Sequence, residues 1–182
     1  MGWQSKARNR IGLGALRKDN MIKKIFVDMD GVLADFVKGV EGPKYLNGPL
    51  VNAEDYDSRK VELSNKGLFR DLPKLDGMEQ LIEFIQLECL RKSFYWEILT
   101  CTGMLNRQKV ANDKIAWIRN FVDKDVVVTC TFKGVQKAAF AKEGYILIDD
   151  TEKNIVAWNQ AGGTGILFKD TASCINELKT LL

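Results

Sequence analysis

One pattern constrains this chain more than any other: short runs of β-branched and aromatic residues recur, each broken off by polar residues and followed by a stretch of helical periodicity. Lys23-Lys24-Ile25-Phe26-Val27 stops at Asp28, Phe94–Leu99 stops at Thr100, and Gly144–Ile148 stops at Asp149-Asp150. Asp125–Thr129 (DVVVT) and Gly165–Phe168 read as two further strands. Between them, Gly77–Lys92 carries Met78, Leu81, Ile82, Ile85 and Leu90 near helical spacing, and Asn106–Phe121 carries Val110, Ile115, Trp117, Ile118 and Phe121. Thr151–Ala161, closed by Gly162-Gly163, and Ala172–Leu182 supply the remaining helices. Strands alternating with helices predict an α/β fold with a doubly wound, mainly parallel sheet.

In such sheets a ligand binds beyond the carboxyl ends of the strands, so the residues that stop each run matter most. Asp28 and Asp30 flank Met29 and point to one side of an extended chain, aiming two carboxylates at one small volume. Gly31 permits a sharp turn there, and Val32-Leu33 with Phe36 forms an apolar base beneath it. Thr100-Cys101-Thr102-Gly103 is a small, polar strand end whose backbone amides can hold a phosphate, or it is an ordinary turn. Asp149-Asp150 brings a second carboxylate pair to the same edge. Carboxylates gathered this way repel unless a cation sits among them, and an all-oxygen donor set favours magnesium. Magnesium keeps waters and substrate phosphates in its shell, which suits phosphoryl transfer.

The 182 residues are expected to form one domain over 21–182, with an insertion at about 37–75 that is broken by Gly39, Gly42, Pro43, Gly48 and Pro49. Phe69, within Gly67–Pro73, is either core or pocket wall. The chain has no histidine, and its four cysteines form no CxxC pair, which removes the support for zinc and for His-based catalysis. A composition of 46% hydrophobic and 28% charged residues, without a membrane-length apolar run, points to a cytoplasmic protein. The net charge of +3 is uneven: residues 1–24 hold seven basic residues and one acid, leaving 20 basic and 23 acidic in the remainder. The basic opening can be a nucleic-acid arm, a targeting peptide or a flexible extension; we expect a flexible extension over residues 1–20.

These residues carry a resemblance. DMDGVLADF (28–36), NKGLFRDLPKLDG (65–77), KIAWIRNF (114–121) and YILIDD (145–150) are together similar to the haloacid dehalogenase (HAD) superfamily, and within it to the 5'(3')-deoxyribonucleotidases. The resemblance implies a Rossmann-like HAD fold with a small, mostly helical cap after the first strand. It makes Asp28 the nucleophile that forms an aspartyl-phosphate and Asp30 the acid and base. Mg2+ would be held by Asp28, the Asp30 carbonyl and Asp150, with Asp149 orienting its waters. Thr100 and the amides of Cys101 and Thr102 would hold phosphate with a lysine, Lys137 in preference to Lys133. Phe36 would lie against a nucleobase, with Phe69 and Arg70 beside it. Arg70 either meets a phosphate or an acidic group of the substrate or pairs with Asp71 or a neighbour.

The function expected is therefore a magnesium-dependent phosphomonoesterase whose partner is a small phosphate ester, a (deoxy)nucleoside monophosphate, with no membrane or nucleic acid and an open oligomeric state. Two alternatives stand beside it. One is a phosphatase of another small metabolite or of nucleic-acid 3'-phosphate ends, and the other is a catalytically idle HAD-fold binding module.

Overall fold

Ile25, Phe26 and Val27 become the centre of strand β1 (Lys24–Val27), which is covered on both faces. The structure, a computed structural model, describes residues 22–41, 61–104 and 106–182. β2 (Tyr95–Cys101) and β4 (Tyr145–Asp149) flank β1 in parallel, with Val27 level with Ile98 on one side and Ile148 on the other. β3 (Val128–Thr131) and β5 (Thr164–Leu167) complete an all-parallel sheet in the order β3-β2-β1-β4-β5.

Alternation along β1 divides the core in two. Ile25 and Val27 join the larger cluster with Leu81, Ile85, Trp117 and Leu178, beneath α3 (Met78–Lys92), α4 (Arg107–Phe121) and α6 (Thr171–Leu181). Phe26 faces the opposite way, onto Leu99, Leu147 and Trp158, the last carried by α5 (Glu152–Gln160). The rings of Phe26 and Trp158 meet edge-on, 5.5 Å apart at 71°. Helices on both faces make the sheet doubly wound. None of the described helices is long and apolar enough to cross a membrane.

After β1 the chain turns under itself and enters α1 (Phe36–Glu41). Residues 61–65 are helical, and α2 (Leu68–Asp71) follows. The expected extension at 1–20 and residues 42–60 of the expected insertion lie outside the described residues. The returning end of the insertion is pinned to the turn after β1: the Asp35 amide donates to the Pro73 carbonyl at 2.8 Å, and Leu75 donates to Leu33 at 2.9 Å. Trp117 Nε1 adds a third tie, to the Leu72 carbonyl at 2.8 Å.

Three expectations need correction. The third strand runs from Val128 to Thr131, later than DVVVT suggests, because Asp125 is held in a turn by Asp123 and Val126 sinks into the core before pairing begins. After it a 3-10 helix, Gly134–Phe140, carries Lys137 to zero exposure. On α4 the buried face is Val110, Lys114, Trp117 and Ile118, joined by Asp113, whereas Ile115 is half-buried and Phe121 exposed. Leu90 on α3 likewise faces solvent.

Candidate active site

The Asp28 amide donates to the Ile148 carbonyl at 2.9 Å, extending the β1–β4 pairing by one residue before the chain leaves the sheet. The Leu33 and Ala34 amides then both return to the Met29 carbonyl at 2.9 Å, and Val32, Leu33 and Ala34 are fully buried under the turn. Gly31 sits at φ 74°, and a Cβ there would lie 2.1 Å from Asp150 Oδ2, so only glycine lets the two strand ends close on each other. The first turn of the site is thus built from the sequence pattern that announces it.

Asp28, Asp30 and Asp150 line one cleft of about 530 Å³ at the carboxyl edge of the sheet. Lys137 Nζ, fully buried, bridges Asp28 Oδ2 at 2.8 Å and Asp149 Oδ2 at 2.6 Å. Asp149 also accepts from the Thr151 amide at 2.9 Å and from Asn154 Nδ2 at 3.0 Å, so it is held on both oxygens. Asp150 is exposed and receives the Thr151 hydroxyl at 3.1 Å. Oxygens of Asp28, Asp149 and Asp150 lie within 4.8 Å of one another. Among the described residues only Lys137 bridges this group directly, leaving an excess of negative charge on hard oxygen donors, and the residues therefore fit magnesium.

The charges act on one another. Desolvation and the neighbouring Asp28 and Asp149 carboxylates push Asp150 up to about 6. Burial and the Asp28 charge raise Asp149 as well, against the pull of Lys137. Burial works to lower the Lys137 ammonium, but Asp28 and Asp149 outweigh it and hold the group above its ordinary value.

Lys114 was not among the residues singled out in the sequence, yet its buried Nζ donates to Asp30 Oδ2 at 2.6 Å and to Thr100 Oγ1 at 2.9 Å. It also lies 4.8 Å from the centre of the Phe69 ring. The available signal was its place on α4: one turn after Val110 and one before Trp117 and Ile118, a lysine within an apolar stripe. Asn154 was missed too, having no pattern of its own; Gly134 must be small to pass it, since a Cβ there would meet Asn154 Oδ1 at 2.5 Å.

Other residues fall as follows. Cys101, Thr102 and Gly103 line the cleft, while Thr100 is fully buried and does not. The Thr102 amide, expected to be free for phosphate, donates to the Thr131 carbonyl at 2.9 Å because β3 runs on to that residue; the Gly103 amide faces Cys101 Sγ at 3.4 Å. Phe36 and Phe69 both line the cleft, stacked at 5.8 Å and 22°, with Phe69 buried and Phe36 the more accessible ring. Phe69 is both core and wall. Arg70 turns away from the cleft to pair with Asp113 at 3.0 Å. Lys133 is exposed, and its backbone amide is taken by Gln136.

No protein-family model matches the sequence, and no curated protein does. Among solved structures the chain is similar to a hydrolase from Streptococcus pneumoniae TIGR4, with a TM-score of 0.52 and 14% identity over 87% of this chain and 98% of that one. It is also similar to a HAD-superfamily hydrolase from Ehrlichia chaffeensis, with a TM-score of 0.50 and 13% identity over 87% of this chain and 96% of that one. At these identities the likeness is one of fold, and the five parallel strands with flanking helices have the α/β, Rossmann-like architecture found in those hydrolases.

Proposed function

We propose that the protein is a magnesium-dependent phosphomonoesterase acting on nucleoside monophosphates, most directly deoxyribonucleotides. The observation that carries this reading is the juxtaposition of Asp28 and Asp30 at one cleft, each on a different buried lysine: Lys137 holds Asp28 against Asp149, and Lys114 holds Asp30. Two carboxylates in unlike surroundings suit unlike roles. Asp28 attacks phosphorus, and Asp30 gives a proton to the departing alcohol and later takes one from water. Lys137 keeps Asp28 in place and offsets negative charge that builds beside it. Magnesium, held by Asp28, Asp150 and the Asp30 carbonyl with Asp149 behind them, would supply the positive charge that screens the phosphate oxygens from these carboxylates.

The nucleoside is the part of this proposal supported by the aromatic pair. A planar base can lie against the Phe36 ring, which lines the cleft beside Phe69. Arg70, being paired to Asp113, has no part in it.

The test is phosphate release from deoxy- and ribonucleoside 5'- and 3'-monophosphates, sugar phosphates and a 3'-phosphorylated oligonucleotide, with magnesium and with a chelator. We expect turnover of the mononucleotides that stops when the metal is removed. Asp28→Asn should lose at least about 10³-fold in kcat without unfolding; undiminished turnover by that variant would remove the nucleophile from Asp28. Activity confined to sugar phosphates or the oligonucleotide would keep the chemistry and discard the substrate.

A further inference from the structure

The partner that holds Asp30 in the proposed chemistry is itself a fully buried charge. Lys114 is fully buried on α4, and placing an ammonium there costs free energy that a salt bridge alone does not reliably recover; an apolar side chain among Val110, Trp117 and Ile118 would serve packing as well or better. Its contacts are specific: Asp30 Oδ2 at 2.6 Å, Thr100 Oγ1 at 2.9 Å and the Phe69 ring at 4.8 Å. The other oxygen of the same carboxylate, Asp30 Oδ1, is buried and has no hydrogen-bond partner among the described residues. A carboxylate with one oxygen gripped and the other buried beside it is held in one rotation, not merely neutralised.

We propose that Lys114 is a positioning residue, one that fixes the rotation of the Asp30 carboxyl and so aims it at the reacting ester. Thr100 and the Phe69 ring hold the ammonium from two further directions, so the aim of Asp30 depends on β2, on α4 and on the returning end of the insertion together. This rests on the phosphomonoesterase reading above. In the first step Asp28 forms a bond to phosphorus while the bond from phosphorus to the ester oxygen breaks. That oxygen keeps the electron pair and receives the proton from Asp30. In the second step water adds to phosphorus, its proton returns to Asp30, and the Asp28–phosphorus bond breaks to release phosphate. Lys114 touches none of the reacting atoms, and its effect passes through Asp30 alone.

A structural lysine and a positioning lysine differ in what their loss does to different leaving groups. p-Nitrophenyl phosphate releases a phenolate that needs no proton, whereas a deoxyribonucleoside 5'-monophosphate releases an alkoxide that does. Lys114→Met, which keeps the length of the stem, should lower kcat/KM on the nucleotide by about 10²- to 10³-fold and on the aryl ester by less than about tenfold. The ratio of the two rates within one preparation does not depend on how much of it is folded. In an Asp30→Asn background, adding Lys114→Met should change that ratio little further.

Equal losses on both esters, no loss on either, or fully additive effects in the double variant would overturn the proposal. Thr100→Val, nearly isosteric and uncharged, carries the same test should Lys114→Met not accumulate: a smaller loss that is again selective for the nucleotide supports it, and an equal loss on both esters opposes it. Asp28→Asn in the same assay separates the two levels. If it is inactive while Lys114→Met is unselective, only the role of Lys114 fails; if it stays active, the phosphomonoesterase mechanism fails first.

Discussion

Lys137 answers to two carboxylates at once, and neither has another cation within bonding distance among the described residues. Removing its charge leaves Asp28 and Asp149 facing each other in a buried place, the situation that makes breaking an ion pair far more costly than never having built one. Lys137→Met is therefore expected to lose about 3–5 kcal/mol in urea unfolding at pH 7. Part of that loss should return on acidification, because protonating either carboxylate removes the repulsion. In the parent protein the sign is the reverse. The Lys137 ammonium is held above its ordinary value, so its contribution is complete at neutral pH and fades only as pH climbs through that raised value. A variant as stable as the parent at pH 7 would show that the carboxylates find another partner.

At the scale of elements, two glycines with nearly the same backbone angle make opposite demands. Gly77 precedes α3 at φ 81°, and a Cβ there would meet Thr171 Oγ1 at 2.6 Å, where α6 begins; Gly103 follows β2 at φ 74°, and a Cβ there would meet none of the described residues within 4 Å. Gly103→Ala should cost about 1–2 kcal/mol, the left-handed strain alone. Gly77→Ala should cost about 3 kcal/mol, since strain is joined by a collision between two helix starts. Paired urea titrations read the difference, and equal losses would mean that Thr171 yields without cost.

The same scale explains what the sequence could disclose. Strand ends such as Val27-Asp28 and Ile148-Asp149 were legible because an apolar run and its polar stop are both local. The start of β3 was not, since Val126, Val127 and Val128 look alike and only the neighbouring strand decides that pairing begins at Val128. Lys114 was hidden by its type: a lysine reads as solvent-facing until a carboxylate 84 positions earlier in the chain is seen to need it. Arg70 stayed open between a substrate contact and a salt bridge because its partner, Asp113, lies on another element.

For the molecule as a whole, the cluster at the sheet edge sets how stability should depend on pH and metal. Asp150 is raised from 3.8 to about 6, and Asp149 is raised as well. The folded state therefore binds more protons than the unfolded chain over roughly pH 4 to 6, and the metal-free protein loses stability as pH rises through that window. On the proposed reading, magnesium would reverse the effect by giving the ionised carboxylates a partner. Its stabilising shift in Tm should accordingly be larger at pH 7.5 than at pH 5, as differential scanning fluorimetry with and without the cation can measure. A shift equal at both pH values would place the cation away from Asp149 and Asp150.

β1 stands at the middle of the sheet although it is the first of the described strands, between two neighbours that are synthesised long after it. Asp28 reaches its place only when β4 has arrived to accept its amide and Lys137 has been delivered between them. The contacts that tie Asp28 to Ile148 and Lys137, and Asp30 to Lys114, are thus long-range in sequence, and loop-closure entropy must be met before any of them stabilises the fold. During synthesis, a nascent chain that ends before residue 149 has an apolar first strand and an incomplete acidic cluster, so metal binding should report completion of the sheet and not its initiation.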